Sequence, residues 1–264
     1  MNIFLRELRA NLKSLLIWSA IVIVFSLAGS SKFSAYYGNP EMLAVLDALP
    51  PAMLSAFSMN AFNLTTVTGF FGIMLTYFGV ILAIAAAMWG SSVISKEERD
   101  KTVEFSLTLP VTRRRLITAK TAAMLVDCII LLLVTWGITL FSVRNYNPDR
   151  EFYRFAALGM LSFFILQMIF LALGIFLGCA LKKHKQAGPA AVWILLGTYF
   201  LYILIGLNND LDFLKYLTPF KYFDAAQLLR DSRLEPIYVL LSMVIIAICL
   251  LGAYITYAKR DLYI

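Results

Sequence analysis

Residues for metal or covalent chemistry are scarce in this sequence. It has one histidine, His184, and three cysteines, Cys128, Cys179 and Cys249, far apart and with no CxxC pair. Zinc takes about four closely held nitrogen or sulfur ligands, so a metal centre is unsupported. The three thiols lie in or at the edge of apolar runs, where they read as small packing residues and not as disulfide partners. Phosphate-cradling loops are missing too. No GxxxxGKS/T run occurs, so the chain has no loop of its own for hydrolysing a nucleotide. Charge is also thin: charged residues are 15% of 264 and hydrophobic residues 61%, with a mean hydropathy of +0.79. Soluble domains run at roughly 25% charged and 45–50% apolar. These absences exclude most soluble enzyme classes and leave a chain built for lipid.

What is present is long apolar runs. A helix needs about 20 mainly apolar residues to cross the hydrocarbon core, and six segments meet or approach that, near 14–31, 69–94, 121–143, 155–181, 187–207 and 236–257. The expected fold is therefore an all-α, polytopic membrane protein that forms one transmembrane domain over 1–264. Basic residues precede the first run and Ala28, Gly29 and Ser30 close it, as in a signal peptide; we expect a retained anchor.

Six spans put both termini on one side of the membrane. The N-terminus, the 95–120 loop, the 182–185 turn and the tail together hold fifteen Lys and Arg residues, against eight in the opposite loops. Cytoplasmic loops keep Lys and Arg, so both ends are expected in the cytoplasm. That asymmetry accounts for the net charge of +7. A nucleic-acid partner is not expected, because no basic stripe with interleaved aromatics lies outside the spans.

Residues 2–13 place Phe4, Leu5, Leu8 and Leu12 at helical spacing, with Arg6, Glu7, Arg9 and Lys13 largely opposite. An amphipathic helix lying in the membrane interface is expected there, the alternative being a plain extension of the first span. The external loop 32–68 is apolar but broken by Pro50-Pro51, which suggests two short helices. In the external loop 208–235, Tyr216, Phe220, Tyr222 and Phe223 fit an interfacial aromatic belt, and Trp18, Trp89, Trp136 and Trp193 fit interface anchors.

The internal loop 95–120 stands apart. It carries seven basic residues together with the acids Glu97, Glu98, Asp100 and Glu104. Within it Val103, Phe105, Leu107 and Leu109 alternate with polar residues, which is the strand period. The acids before them and Pro110 after them favour a helix instead. Thr112 is placed to cap a new helix leading into the third span. A polytopic protein that concentrates charges of both signs in one loop is presenting it to a soluble partner.

The run Glu97-Glu98-Arg99-Asp100-Lys101-Thr102-Val103-Glu104, then Leu107-Thr108-Leu109-Pro110-Val111-Thr112-Arg113, then Ile117 and Lys120, resembles the loop between the second and third spans of the membrane subunits of type 2 ABC exporters. Leu217 to Asp224 and Lys259-Arg260-Asp261-Leu262 resemble that family's last external loop and tail. The sequence departs at Lys101, where the family often has glycine, and at Phe105-Ser106-Leu107, where it often has a double leucine.

The resemblance implies a six-span permease with an N-terminal interfacial helix and a cytoplasmic coupling helix, in the plasma membrane of a prokaryote. It implies two copies of a separate ABC ATPase that bind ATP and Mg. It also implies a second permease, identical or homologous, and export of an amphiphilic cargo such as a peptide, lipid-like molecule or drug. Contact with the ATPase would fall to Glu97, Glu98, Thr102, Val103, Glu104, Phe105, Leu107, Leu109, Pro110 and Arg113. This chain would carry no cofactor and no catalytic residue.

Within the spans, Asp127 and Gln167 are the polar residues to watch. Buried membrane charges are costly and often functional, but Asp127 lies near the expected cytoplasmic end of its span, where pairing with a neighbouring Lys or Arg is expected. Gln167 suits a bond between helices. Gly174-x-x-x-Gly178 permits close helix approach, and Gly69, Gly72 and Gly79 would do the same near a dimer seam. Two other readings remain at this point. One is a scaffold or assembly factor that holds a cytosolic protein through loop 95–120 without transport. The other is an intramembrane enzyme, for which no facing pair of catalytic groups is visible.

Overall fold

The computed structural model of the chain describes residues 3–39, 62–99, 112–181 and 183–259, with isolated positions between 41 and 54. Its main helices are α1 (Ile3–Tyr36), α2 (Val67–Arg99), α3 (Arg113–Val143), α4 (Arg150–Ala180), α5 (His184–Leu207), α6 (Pro219–Tyr222), α7 (Ala225–Asp231) and α8 (Pro236–Lys259), with 3₁₀ segments at Arg144–Tyr146 and Asn209–Leu217. No strand occurs among the described residues. The helices α1 to α5 and α8 are long and apolar enough to cross a membrane. Most of residues 40–61, where two short helices were expected, lie outside the described residues, as do 100–111.

Local chemistry sets the helix ends. Thr112 caps α3, its hydroxyl accepting from the Arg115 amide at 3.3 Å. Asp149 caps α4 by accepting from the Phe152 amide at 2.8 Å, and Asp224 caps α7. Each side chain satisfies an amide that helix geometry leaves without a partner. Pro219 opens α6, and α8 begins at Pro236, where a missing N–H costs nothing. Just past α1, Gly38 has φ +66°, a backbone that glycine adopts without strain.

The expected junction between an interfacial helix at 2–13 and a span at 14–31 is not there, because one helix runs Ile3–Tyr36. No proline falls in that stretch and the first glycine is Gly29, so nothing breaks the hydrogen-bond ladder. At 1.5 Å per residue, 34 residues span about 50 Å, well beyond the ~30 Å hydrocarbon core.

α2 and α4 form the centre of the bundle and share its largest interface, while α1, α5 and α8 leave most of their apolar length facing outward. The α2–α4 seam is a close backbone approach. A Cβ on Gly174 would lie 2.5 Å from the Ala87 carbonyl oxygen, and one on Gly178 would lie 2.9 Å from that of Ser91. Gly90 faces the Leu171 carbonyl across the same seam. The α2 glycines 69, 72 and 79 also pack inside the subunit, against Asn63, Phe62 and Phe163.

Contacts between helix ends define two ends of the bundle. At the one rich in Lys and Arg, hereafter the basic end, the start of α1 meets the start of α3 and the end of α2, and the start of α3 meets the end of α8. At the other end, Phe33, Tyr37, Phe70 and Tyr146 form an aromatic cluster with ring centroids 4.7–5.4 Å apart. The chain from 209 to 231 turns back into that end. Phe220 and Tyr222 are buried, so they do not belong to an exposed aromatic belt. Phe220 packs on Phe170 and Tyr199, and Tyr222 stacks on Tyr238 at 5.1 Å. Burial, aided by the nearby Tyr238, pushes the Tyr222 phenol up to about 12. It therefore stays a neutral donor to the Tyr216 carbonyl. Phe213, Tyr216 and Leu217 remain exposed, as an interfacial face requires.

Candidate functional site at the basic end

The first turns of α1 present a stripe at i, i+4 and i+7, namely Glu7, Asn11 and Ser14. It faces into the bundle, while Leu5, Leu12 and Leu16 face out. The amphipathic face is thus turned the opposite way from a helix lying on a membrane surface. Within lipid the apolar side belongs outside, and polar groups need partners inside.

Each member of the stripe has a partner on another helix. Lys120 of α3 is only 1% exposed, yet its Nζ donates to the Val93 carbonyl of α2 at 2.7 Å and lies 3.7 Å from Glu7 Oε1. One ammonium thereby joins α1, α2 and α3 near the end of α2 and the start of α3. Two turns further along α3, Asp127 accepts from Asn11 Nδ2 at 2.6 Å. Its partner is an amide from α1, in place of the Lys or Arg expected from its position. Trp89 is buried and donates its indole N–H to Ser14 Oγ at 2.8 Å, so it is a core residue and not an interface anchor. Trp136 and Trp193 are the exposed ones. Gln167 of α4 is fully buried and directs Nε2 toward the Cys128 carbonyl of α3 at 3.5 Å, next to Asp127.

The predicted ATPase-contact residues divide. Thr102, Val103, Glu104, Phe105, Leu107, Leu109 and Pro110 lie outside the described residues, and Glu97 and Glu98 are placed only as the last turn of α2. Arg113 is on the first turn of α3, where its guanidinium donates to the Tyr257 and Ala258 carbonyls at 3.3 and 3.4 Å. It caps the end of α8. The segment 100–111 therefore starts and finishes on helices tied to α1 and α8. Glu7, Asn11 and Ser14 were missed by sequence reasoning. The signal available was their i, i+4, i+7 spacing inside an otherwise basic and apolar helix.

Beside this network an open cavity of about 550 Å³ separates α2 from α5. Ser91, Ser92, Ser95 and Lys185 supply its polar lining, and Met88, Val192, Trp193 and Leu196 its apolar one. No group of three or more metal-ligating side chains occurs among the described residues.

A family model described as ABC-2 family transporter protein matches residues 1–262. The chain belongs to the ABC-2 transporter family. No curated protein matches it. The match covers nearly all of the chain and agrees with six membrane-length helices, so this ABC-2 family protein is a multi-pass membrane component of the permease kind. An ABC ATPase and a bilayer are the partners that membership implies.

Proposed function

We propose that the chain is the permease subunit of an exporter that couples ATP hydrolysis by a separate ATPase to movement of an amphiphilic cargo across the plasma membrane of a prokaryote. The observation that carries the reading is the family match over residues 1–262. In it two permeases, identical or homologous, meet two ATPases that hold ATP and Mg, and this subunit hydrolyses nothing itself. The segment 95–120 docks on the ATPase, with Phe105, Leu107 and Leu109 filling a groove and the flanking charges setting register. The arrangement at the basic end supports such a role. Movement of 100–111 is delivered to α2 and α3, and through Lys120 to α1, instead of being lost in a free loop. The cavity between α2 and α5 supports an amphiphilic cargo, because it offers apolar wall and hydroxyl groups together.

The test is a mild-detergent pull-down from the native host, repeated with residues 102–109 replaced by a Gly/Ser linker. A Walker-motif ATPase is expected with the intact chain and not with the linker. Absence of an ATPase in both preparations, or its presence in both, moves the function to a scaffold that transports nothing.

A further inference from the structure

A second open cavity, of about 540 Å³, lies where the start of α3 crosses the end of α8, and Arg114, Leu251, Tyr254, Ile255, Ala258 and Lys259 line it. Its volume is within the roughly 300–1,000 Å³ of small-molecule clefts. Its geometry is held from beneath. Arg113 caps the last carbonyls of α8, and the Thr118 and Tyr254 hydroxyls pair at 2.7 Å.

Among the described residues the rim carries two cations and no acid. Neither the Arg114 nor the Lys259 side chain makes an ion pair or hydrogen bond among the described residues, and both residues are exposed. Below the rim, Leu240, Val244, Ile248, Leu251 and Ile255 follow one another at helical spacing along the outer face of α8, each 44–66% exposed. α8 is the least buried of the six membrane-length helices. A cationic pocket at the end of a helix, continued by an apolar track down its lipid-facing side, matches one shape of ligand.

We propose that this groove binds an anionic phospholipid from the leaflet at the basic end. Its phosphate is held between Arg114 and Lys259, and an acyl chain lies along Ile255, Leu251 and Ile248. Charge complementarity selects the headgroup, because clustered Lys and Arg beside a membrane helix attract anionic lipid. The apolar track selects a lipid over a free phosphate. The bound lipid joins α3 to α8 two residues beyond Thr112, where segment 100–111 returns to the bundle. The site rests on membrane residence and is independent of any ATPase.

The experiment is native mass spectrometry of the purified full chain in mild detergent with phosphatidylglycerol, or with phosphatidylcholine of the same acyl length. The wild type is expected to retain one phosphatidylglycerol in preference to phosphatidylcholine. R114Q/K259Q is expected to retain it roughly ten-fold less or weaker, and R114K/K259R to behave as wild type. R9Q/K13Q, which removes two other exposed cations from the basic end, should match wild type. L251Q/I255Q should lose the lipid, and soluble glycerol phosphate should not displace it. Equal retention by R114Q/K259Q, equal binding of phosphatidylcholine, or an equal loss in R9Q/K13Q overturns the site. So does displacement by glycerol phosphate, which marks a free-anion pocket, or a lipid-free dimer, which marks the track as a face for a second copy.

Discussion

At the residue scale, Lys120 carries the most consequence. Its ammonium is removed from water and lies against the Val93 carbonyl and the Glu7 carboxylate. Losing Lys120 takes this donor from the Val93 carbonyl, at a cost of about 1–3 kcal/mol, while Glu7 keeps Arg6 at 3.2 Å. Lys120→Met is therefore expected to lower the Tm in detergent by about 3–10 °C. Glu7→Gln/Lys120→Met should recover part of that loss, since no carboxylate then remains beside the site that Lys120 leaves. A double variant as unstable as the single one shows that the Val93 carbonyl, not Glu7, is the partner that matters. Asp127 separates in the same way. Asn11→Ala removes the donor that Asp127 accepts from, and should destabilise by about 1–3 kcal/mol. Asp127→Asn keeps a polar group that can pair with Asn11 and should melt close to wild type. If it melts normally but abolishes transport, the carboxylate acts on cargo or protons beyond its structural bond.

At the scale of elements, much was legible in the sequence, and the misses share one cause. Pro236 opens the last spanning helix and Pro219 a short one, as backbone chemistry dictates. The apolar runs alone located all six membrane-length helices. Helical spacing at 3–15 was equally legible, but which face turns inward was not. A polar stripe is read as solvent-facing in water and as core-facing in lipid, and Glu7 belongs to the second case. Pairings such as Asn11 with Asp127 or Trp89 with Ser14 join residues 116 and 75 positions apart. They depend on the register between helices, which periodicity within one helix does not contain. For the same reason Phe220 and Tyr222 looked like belt residues until the chain from 209 to 231 was found turned back into the bundle. The continuity of α1 supplies a direct test. Ala10→Pro places a proline between Glu7 and Asn11, in a helix interior where it costs about 3 kcal/mol or more. A fall in Tm comparable to that of Lys120→Met is expected. A variant that melts like wild type indicates that residues 3–13 are a separate helix, free of the bundle.

At the scale of the whole molecule, the two ends of the bundle differ in kind, and that difference gives a testable orientation. The basic end is tied by charged and polar contacts between α1, α2, α3 and α8, and its groups converge where segment 100–111 leaves and returns. The other end is closed by stacked aromatics and by the returning chain from 209 to 231. The first, with its charges, fits the proposed docking of a soluble ATPase, and it is also the end that the positive-inside rule assigns to the cytoplasm. Charge bias and mechanical role are independent arguments, so their agreement can be tested as one orientation. Lys13 and Arg233 are both exposed and belong to opposite ends. With Cys128, Cys179 and Cys249 replaced by alanine, Lys13→Cys and Arg233→Cys report each side through a membrane-impermeant maleimide. In intact spheroplasts Arg233→Cys is expected to label at once, and Lys13→Cys only after permeabilisation. The reverse order places the basic end outside. It would then remove the ATPase from reach of segment 100–111 and put the lipid groove of α8 in the outer leaflet.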